Sequence, residues 1–145
     1  MRAAPPPSGL DVADALERAV AFRAALRRFL RRIEDAAAAA DLSPQRYHLL
    51  LMIRAARVPA TVGDLCRLLQ LPEGATSELV RRTEAAGLIR RERSSEDRRV
   101  FLFSLTAAGE QRLMTAFTAL RDEREEVLRD FRELDRRLCA ALAPG

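Results

Sequence analysis

Between Pro59 and Gly109 the chain prescribes one order of elements: helix, tight turn, second helix, then two strands closed by a polar tip. Thr61 is placed to cap a helix over 62–69, with Asp64 three residues on to return the bond. Leu71-Pro72-Glu73-Gly74 turns the chain into a further helix that runs to Ala86, where Gly87 ends it. Residues 88–93 and 99–105 then pair as strands, because Phe101, Phe103 and Leu105 alternate with Val100, Leu102 and Ser104. The tip between them reads Ser94-Ser95-Glu96-Asp97-Arg98-Arg99. So short a run with this pattern leaves little choice but a small α+β unit that presents an Arg-bearing helix beside an Arg-tipped hairpin.

The flanks are helical. From Leu10 to Ala40 there is no Pro or Gly, and Val12, Leu16, Val20, Phe22, Leu26, Phe29, Leu30 and Ile33 recur at helical spacing. These residues cover about half the circumference, more than a one-sided surface helix needs, so the helix is expected to pack on its own domain and on a partner. Ser43-Pro44 starts a short apolar helix to about Ala56, with the hydroxyl as cap and Pro in the first turn. Thr106 opens a last helical region to Leu142, whose Leu113, Phe117, Leu120, Val127, Phe131, Leu134, Leu138 and Leu142 form a narrow stripe interrupted at Arg124. Asp122 with Glu125 could cap a fresh helix there, which leaves one kinked helix and two helices both open. Pro5-Pro6-Pro7 marks residues 1–9 as a flexible arm, followed by a capping pair at Ser8 and Asp11. The expected organisation is therefore an arm (1–9), a dimerisation helix (10–42), a helix-turn-helix with a wing (43–106) and C-terminal dimerisation helices (107–145). Leu16, Leu26, Leu30, Leu134 and Leu138 are the expected dimer contacts.

Composition narrows the function classes. All 25 basic residues are Arg and the net charge is only +4, so the distribution of charge matters more than its sum. A Lys-free, Ala- and Arg-rich chain is first of all the mark of a GC-rich genome, but Arg also suits phosphates and guanine edges. Cys66 and Cys139 are far apart and fit neither a disulfide framework nor a metal site; Cys66 is expected to be buried and inert. No apolar run reaches the roughly 20 residues of a membrane span and no signal peptide is evident, so a reduced cytoplasmic compartment is expected. One His, no glycine-rich phosphate loop and no metal-spaced ligand set argue against an enzyme and against any cofactor.

In helical projection Thr76, Leu79, Val80 and Thr83 share an inward face, while Gly74, Ser77, Glu78, Arg81 and Ala85 lie opposite. Small residues near the start would let that outer face sink into a major groove. There Arg81 could read guanine, Glu78 could accept from cytosine, and Ser77 could bond a phosphate or base. Residues 79–100 hold seven Arg against four acids. Acidic Glu73 and Glu78 oppose tight nonspecific binding.

The runs Asp64-Leu65, Ser77-Glu78-Leu79-Val80-Arg81-Arg82, Gly87-Leu88-Ile89-Arg90-Arg91, Asp97-Arg98-Arg99 and Leu105-Thr106-Ala107-Ala108-Gly109, in this order, resemble the MarR family of transcriptional regulators. The resemblance implies a mostly α protein with a β-hairpin wing: a winged helix-turn-helix domain with N- and C-terminal helices forming a dimerisation domain. It implies a homodimer on a pseudo-palindromic duplex DNA operator, with Gly74, Ser77, Glu78, Arg81 and Arg82 in the major groove. The wing residues Arg91, Asp97, Arg98 and Arg99 would reach the minor groove, Asp97 holding Arg99 for insertion and Arg98 meeting a phosphate. Thr83 stands where the family usually has Leu, and Cys66 where a small Ala is usual. The family further implies a repressor released by a small lipophilic or phenolic effector, with Phe22, Tyr47, His48 and Met52 as pocket candidates. The alternative is a winged-helix module that binds another protein and no DNA.

Overall fold

The computed structural model describes the backbone of residues 9–56 and 58–142, and the side chains of 13, 14, 16–56 and 58–133. The expected arm up to residue 8, with the Ser8 cap, lies outside the described residues; Gly9 already opens the first helix. Element order is α1 (Gly9–Ala39), α2 (Pro44–Ala55), α3 (Val62–Leu69), α4 (Glu73–Ala85), β1 (Ile89–Arg93), β2 (Phe101–Leu105), α5 (Ala107–Ala119) and α6 (Arg121–Leu142). The chain divides into two compact units, one of residues 1–32 with 121–145, the other Ile33–Leu120.

The second unit holds the winged helix. Its core is aliphatic, built from Leu49, Leu50, Leu65, Leu88, Ile89, Leu113 and Leu120, all essentially without solvent contact. Each such side chain contributes about 1.5–3 kcal/mol by leaving water. The element starts follow the chemistry of their caps. Ser43 accepts from the amide of Arg46 at the head of α2. Thr61 and Asp64 exchange side-chain and backbone bonds at the head of α3, a complete capping box. Gln70 closes α3 in the left-handed region and Gly87 follows α4 with φ of 72°, a conformation Gly adopts without steric cost.

β1 and β2 pair antiparallel, with Ile89 opposite Leu105 and Arg93 opposite Phe101. Ala60 adds an isolated bridge to Phe103, with both backbone bonds formed (3.4 and 2.9 Å). This third backbone segment anchors the hairpin base and has no periodic signal in the sequence. The C-terminal region resolves into two helices. Leu120, fully buried, takes the break between them, and the fresh helix starts at Arg121. α5 packs on α2 and β2, so the unit reaches beyond residues 43–106 at both ends.

At the head of α5, Thr106 is bound three ways: its hydroxyl donates to the Gly87 carbonyl (2.7 Å) and accepts from the Gly109 amide (3.1 Å), and its amide donates to the Leu88 carbonyl (3.1 Å). A Cβ on Gly109 would lie 2.0 Å from that Leu88 oxygen. Two ion pairs close the unit further: Arg54 with Glu110 (2.8 Å) and Arg112 with Asp41 (2.8 Å).

In the other unit Phe22 meets Phe131 edge to face, ring centroids 4.9 Å apart, and Arg32 pairs with Glu123 at 3.0 Å. Along α1, Leu16, Val20, Leu26 and Leu30 stay exposed, Leu16 by 63% and Val20 by 70%. The side chains of Leu134, Leu138 and Cys139 lie outside the described residues. No helix of the described residues is long and apolar enough to cross a membrane.

Candidate nucleic-acid interface

α4 divides as its periodicity requires. Thr76, Val80 and Thr83 are buried, while Gly74, Ser77, Arg81, Arg82 and Ala85 are exposed and Glu78 is half-exposed. Thr83 fills its inward position at no polar cost, because its hydroxyl donates to the Leu79 carbonyl four residues back (2.7 Å). Pro72 caps α4 without a side-chain bond, which leaves the first-turn amides of the helix facing outward with their partial positive charge.

The wing tip is organised by its own polar groups. The Ser94 hydroxyl accepts from the amides of Glu96 (3.2 Å) and Asp97 (3.4 Å). The Ser94 amide donates to the Val100 carbonyl, and the Val100 amide to the Asp97 carbonyl (both 2.9 Å). Arg93 donates from Nη1 to the Arg98 carbonyl (2.7 Å). The Asp97 carboxylate accepts from the Arg99 backbone amide at 2.9 Å. This refines the role expected of Asp97: it fixes the backbone of residue 99, not its guanidinium. An Asp two residues before an amide reaches that amide far more readily than a long side chain leading away from it. Where the strands run into the tip, the guanidinium carbons of Arg91 and Arg93 lie 4.9 and 5.0 Å from the Phe101 ring centroid, so the ring steadies two cations.

Between α4, the start of α3 and the wing runs a groove of about 400 Å³, lined among others by Ser77, Val80, Arg81, Arg91, Arg99 and Phe101. It gathers Ser77, Arg81, Arg91 and Arg99 from among the expected site residues. Gly74, Glu78, Arg82, Asp97 and Arg98 do not line it.

The charges of this face are unevenly paired. Glu78 takes Arg81 in a bidentate contact (both 2.8 Å) and Arg82 through Nε (2.6 Å). Arg91 pairs with Glu84 at 3.1 Å and Arg90 with Glu92 at 3.4 Å. Among the described residues no carboxylate pairs with the guanidinium of Arg98 or Arg99. The bonds from Arg81 and then Arg82 hold the Glu78 carboxyl down to about 2, and those from Glu78 raise Arg81. The Glu78 pairings sit at three- and four-residue helical spacing, a signal the sequence carries. The Glu84–Arg91 pair crosses a turn and carries none.

Of the effector-pocket candidates, Tyr47 is buried, His48 and Met52 are half-buried, and all three lie on α2. The Tyr47 and His48 rings are 5.5 Å apart, and burial lowers the His48 pKa. Phe22 belongs to the other unit. Cys66, expected to be buried, is a half-buried free thiol, since it stands about 100° around α3 from the inward Leu65. No group of His, Cys, Asp and Glu among the described residues could hold a metal ion.

The MarR family model matches residues 40–100. No curated protein matches the chain. Among solved structures, a mutant MarR from E. coli complexed with operator DNA is 19% identical with a TM-score of 0.68, covering 94% of this chain and 100% of that one. A mutant MepR from S. aureus bound to an oligodeoxyribonucleotide is 23% identical, TM-score 0.62, covering 86% and 94%. A probable transcriptional regulator from Pseudomonas aeruginosa is 25% identical, TM-score 0.63, covering 86% and 96%. The first two likenesses are of fold. Residues 40–100, which carry α2 to β1 and the hairpin tip, thus match the MarR family model.

Proposed function

We propose that this protein is a sequence-specific, duplex-DNA-binding transcriptional regulator that works as a homodimer on a pseudo-palindromic operator. The observation that carries the reading is the joint presentation of α4's outer face and a pre-ordered wing around one groove, with the Arg98 and Arg99 guanidiniums paired to no carboxylate among the described residues. α4 enters the major groove, Arg81 reading guanine and Glu78 cytosine. The wing carries Arg99 to the minor groove, whose narrow stretches concentrate negative potential, and Arg98 to a phosphate. Relatives solved with operator DNA or an oligodeoxyribonucleotide support the same use of the fold here. The exposed apolar residues of α1 support the homodimer. Repression, relieved by a small lipophilic or phenolic effector, completes the proposal.

Duplexes recovered by selection from genomic fragments supply the test. In anisotropy titrations, Arg99→Ala weakens binding by about tenfold or more, and Arg81→Ala relaxes choice at one base pair by about 1–3 kcal/mol. Wild-type affinity in both variants, or no saturable duplex binding by the parent protein, overturns the reading; the latter leaves a protein-binding winged helix instead.

A further inference from the structure

We propose that Glu78 is a specificity-determining residue that restrains Arg81 and Arg82, so that α4 engages a duplex only where base edges can take the place of its carboxylate. The inference rests on the DNA-binding function proposed above. Four oxygen–nitrogen contacts decide it, three within α4 and one from α4 to the start of the wing. Glu78 holds Arg81 at both ends of its guanidinium fork and Arg82 at Nε, and Glu84 holds Arg91. A backbone phosphate attracts any free cation regardless of sequence. A guanidinium already committed to a carboxylate gains little from a phosphate, because it exchanges one anion for another.

A guanine edge offers Arg81 two acceptors in the same fork geometry, and a neighbouring cytosine amino group gives Glu78 a donor in return. Only the correct sequence therefore satisfies both members of the pair. The pairs are exposed, and exposed ion pairs add little to fold stability, so the restraint is readily exchanged. The wing tip differs: Arg98 and Arg99 carry no such counter-charge among the described residues. The tip thus supplies sequence-independent attraction while α4 stays neutralised until it is in register.

The test compares Glu78→Gln with Glu73→Gln, which removes the same charge from the same helix at a residue with no ion-pair partner among the described residues. Binding is measured on short random-sequence duplexes and on a duplex selected by the wild-type protein, across a salt series. Glu78→Gln binds random duplex about tenfold tighter at about 50 mM salt, with a salt slope steeper by about 1–2 per protomer. Its preference for the selected duplex falls, while Glu73→Gln, which frees no arginine and removes only the general repulsion of one acidic charge, changes random binding by less than about threefold. Equal behaviour of the two variants overturns the restraint but leaves DNA reading intact, provided Arg99→Ala still loses affinity. A lower melting temperature of Glu78→Gln with unchanged random-duplex binding assigns the carboxylate to helix stability and also overturns it. Absence of duplex binding in every variant removes the DNA-binding reading itself.

Discussion

Gly109 shows how much one residue decides. It is buried in the first turn of α5, where a methyl group would sit 2.0 Å from the Leu88 carbonyl oxygen. The obstacle is backbone, so no side chain can rotate away. Gly109→Ala therefore destabilises the winged-helix unit by about 3 kcal/mol, read as a lower urea midpoint with an unchanged slope. An unfolding free energy within about 0.5 kcal/mol of wild type rejects the close approach. Single positions were legible in the sequence where the cause was local. Ser77 and Arg81 fall outward because period and polarity agree, and Glu78 finds its arginines at helical spacing. Asp97 was legible as a partner of residue 99, but which atom it holds depends on backbone torsions that no residue pattern encodes.

At the scale of elements, caps carry most of the information. The reciprocal Thr61–Asp64 bonds define where α3 begins, and the Asp64 carboxyl is held below its ordinary range chiefly by bonds from Thr61. Thr61→Ala removes the side-chain acceptor for the Asp64 amide and costs about 1 kcal/mol, measured by thermal melting. An unchanged melting temperature refutes the cap's contribution. The helix starts at Pro44 and Val62 and the stop before Gly87 were readable because Ser, Thr, Pro and Gly act within a few residues. The break at Leu120 was not, since Leu carries no turn chemistry and is placed by burial. The bridge from Ala60 to Phe103 was equally hidden: its bonds are entirely backbone, and 43 residues separate its partners.

At the scale of the whole molecule, α1 leaves Leu16, Val20, Leu26 and Leu30 exposed among the described residues. Leu26 and Leu30 are one turn apart and exposed, and the proposed homodimer would bury them. Leu26→Glu with Leu30→Glu places two charges on that surface. The pair should shift the sedimenting species from twice 16.2 kDa to 16.2 kDa and lower operator affinity, because the second half-site is then bound independently. A double variant that still sediments as a dimer moves the interface elsewhere.

The hairpin tip has a kinetic consequence. Ser94, Asp97 and Arg93 tie its backbone from within, so the loop loses little conformational freedom when it meets a surface. What a floppy loop would surrender at every encounter has been surrendered once, during folding. Two such loops on the proposed homodimer would double that advantage, and a single glycine in place of Asp97 would return the entropy cost to each landing.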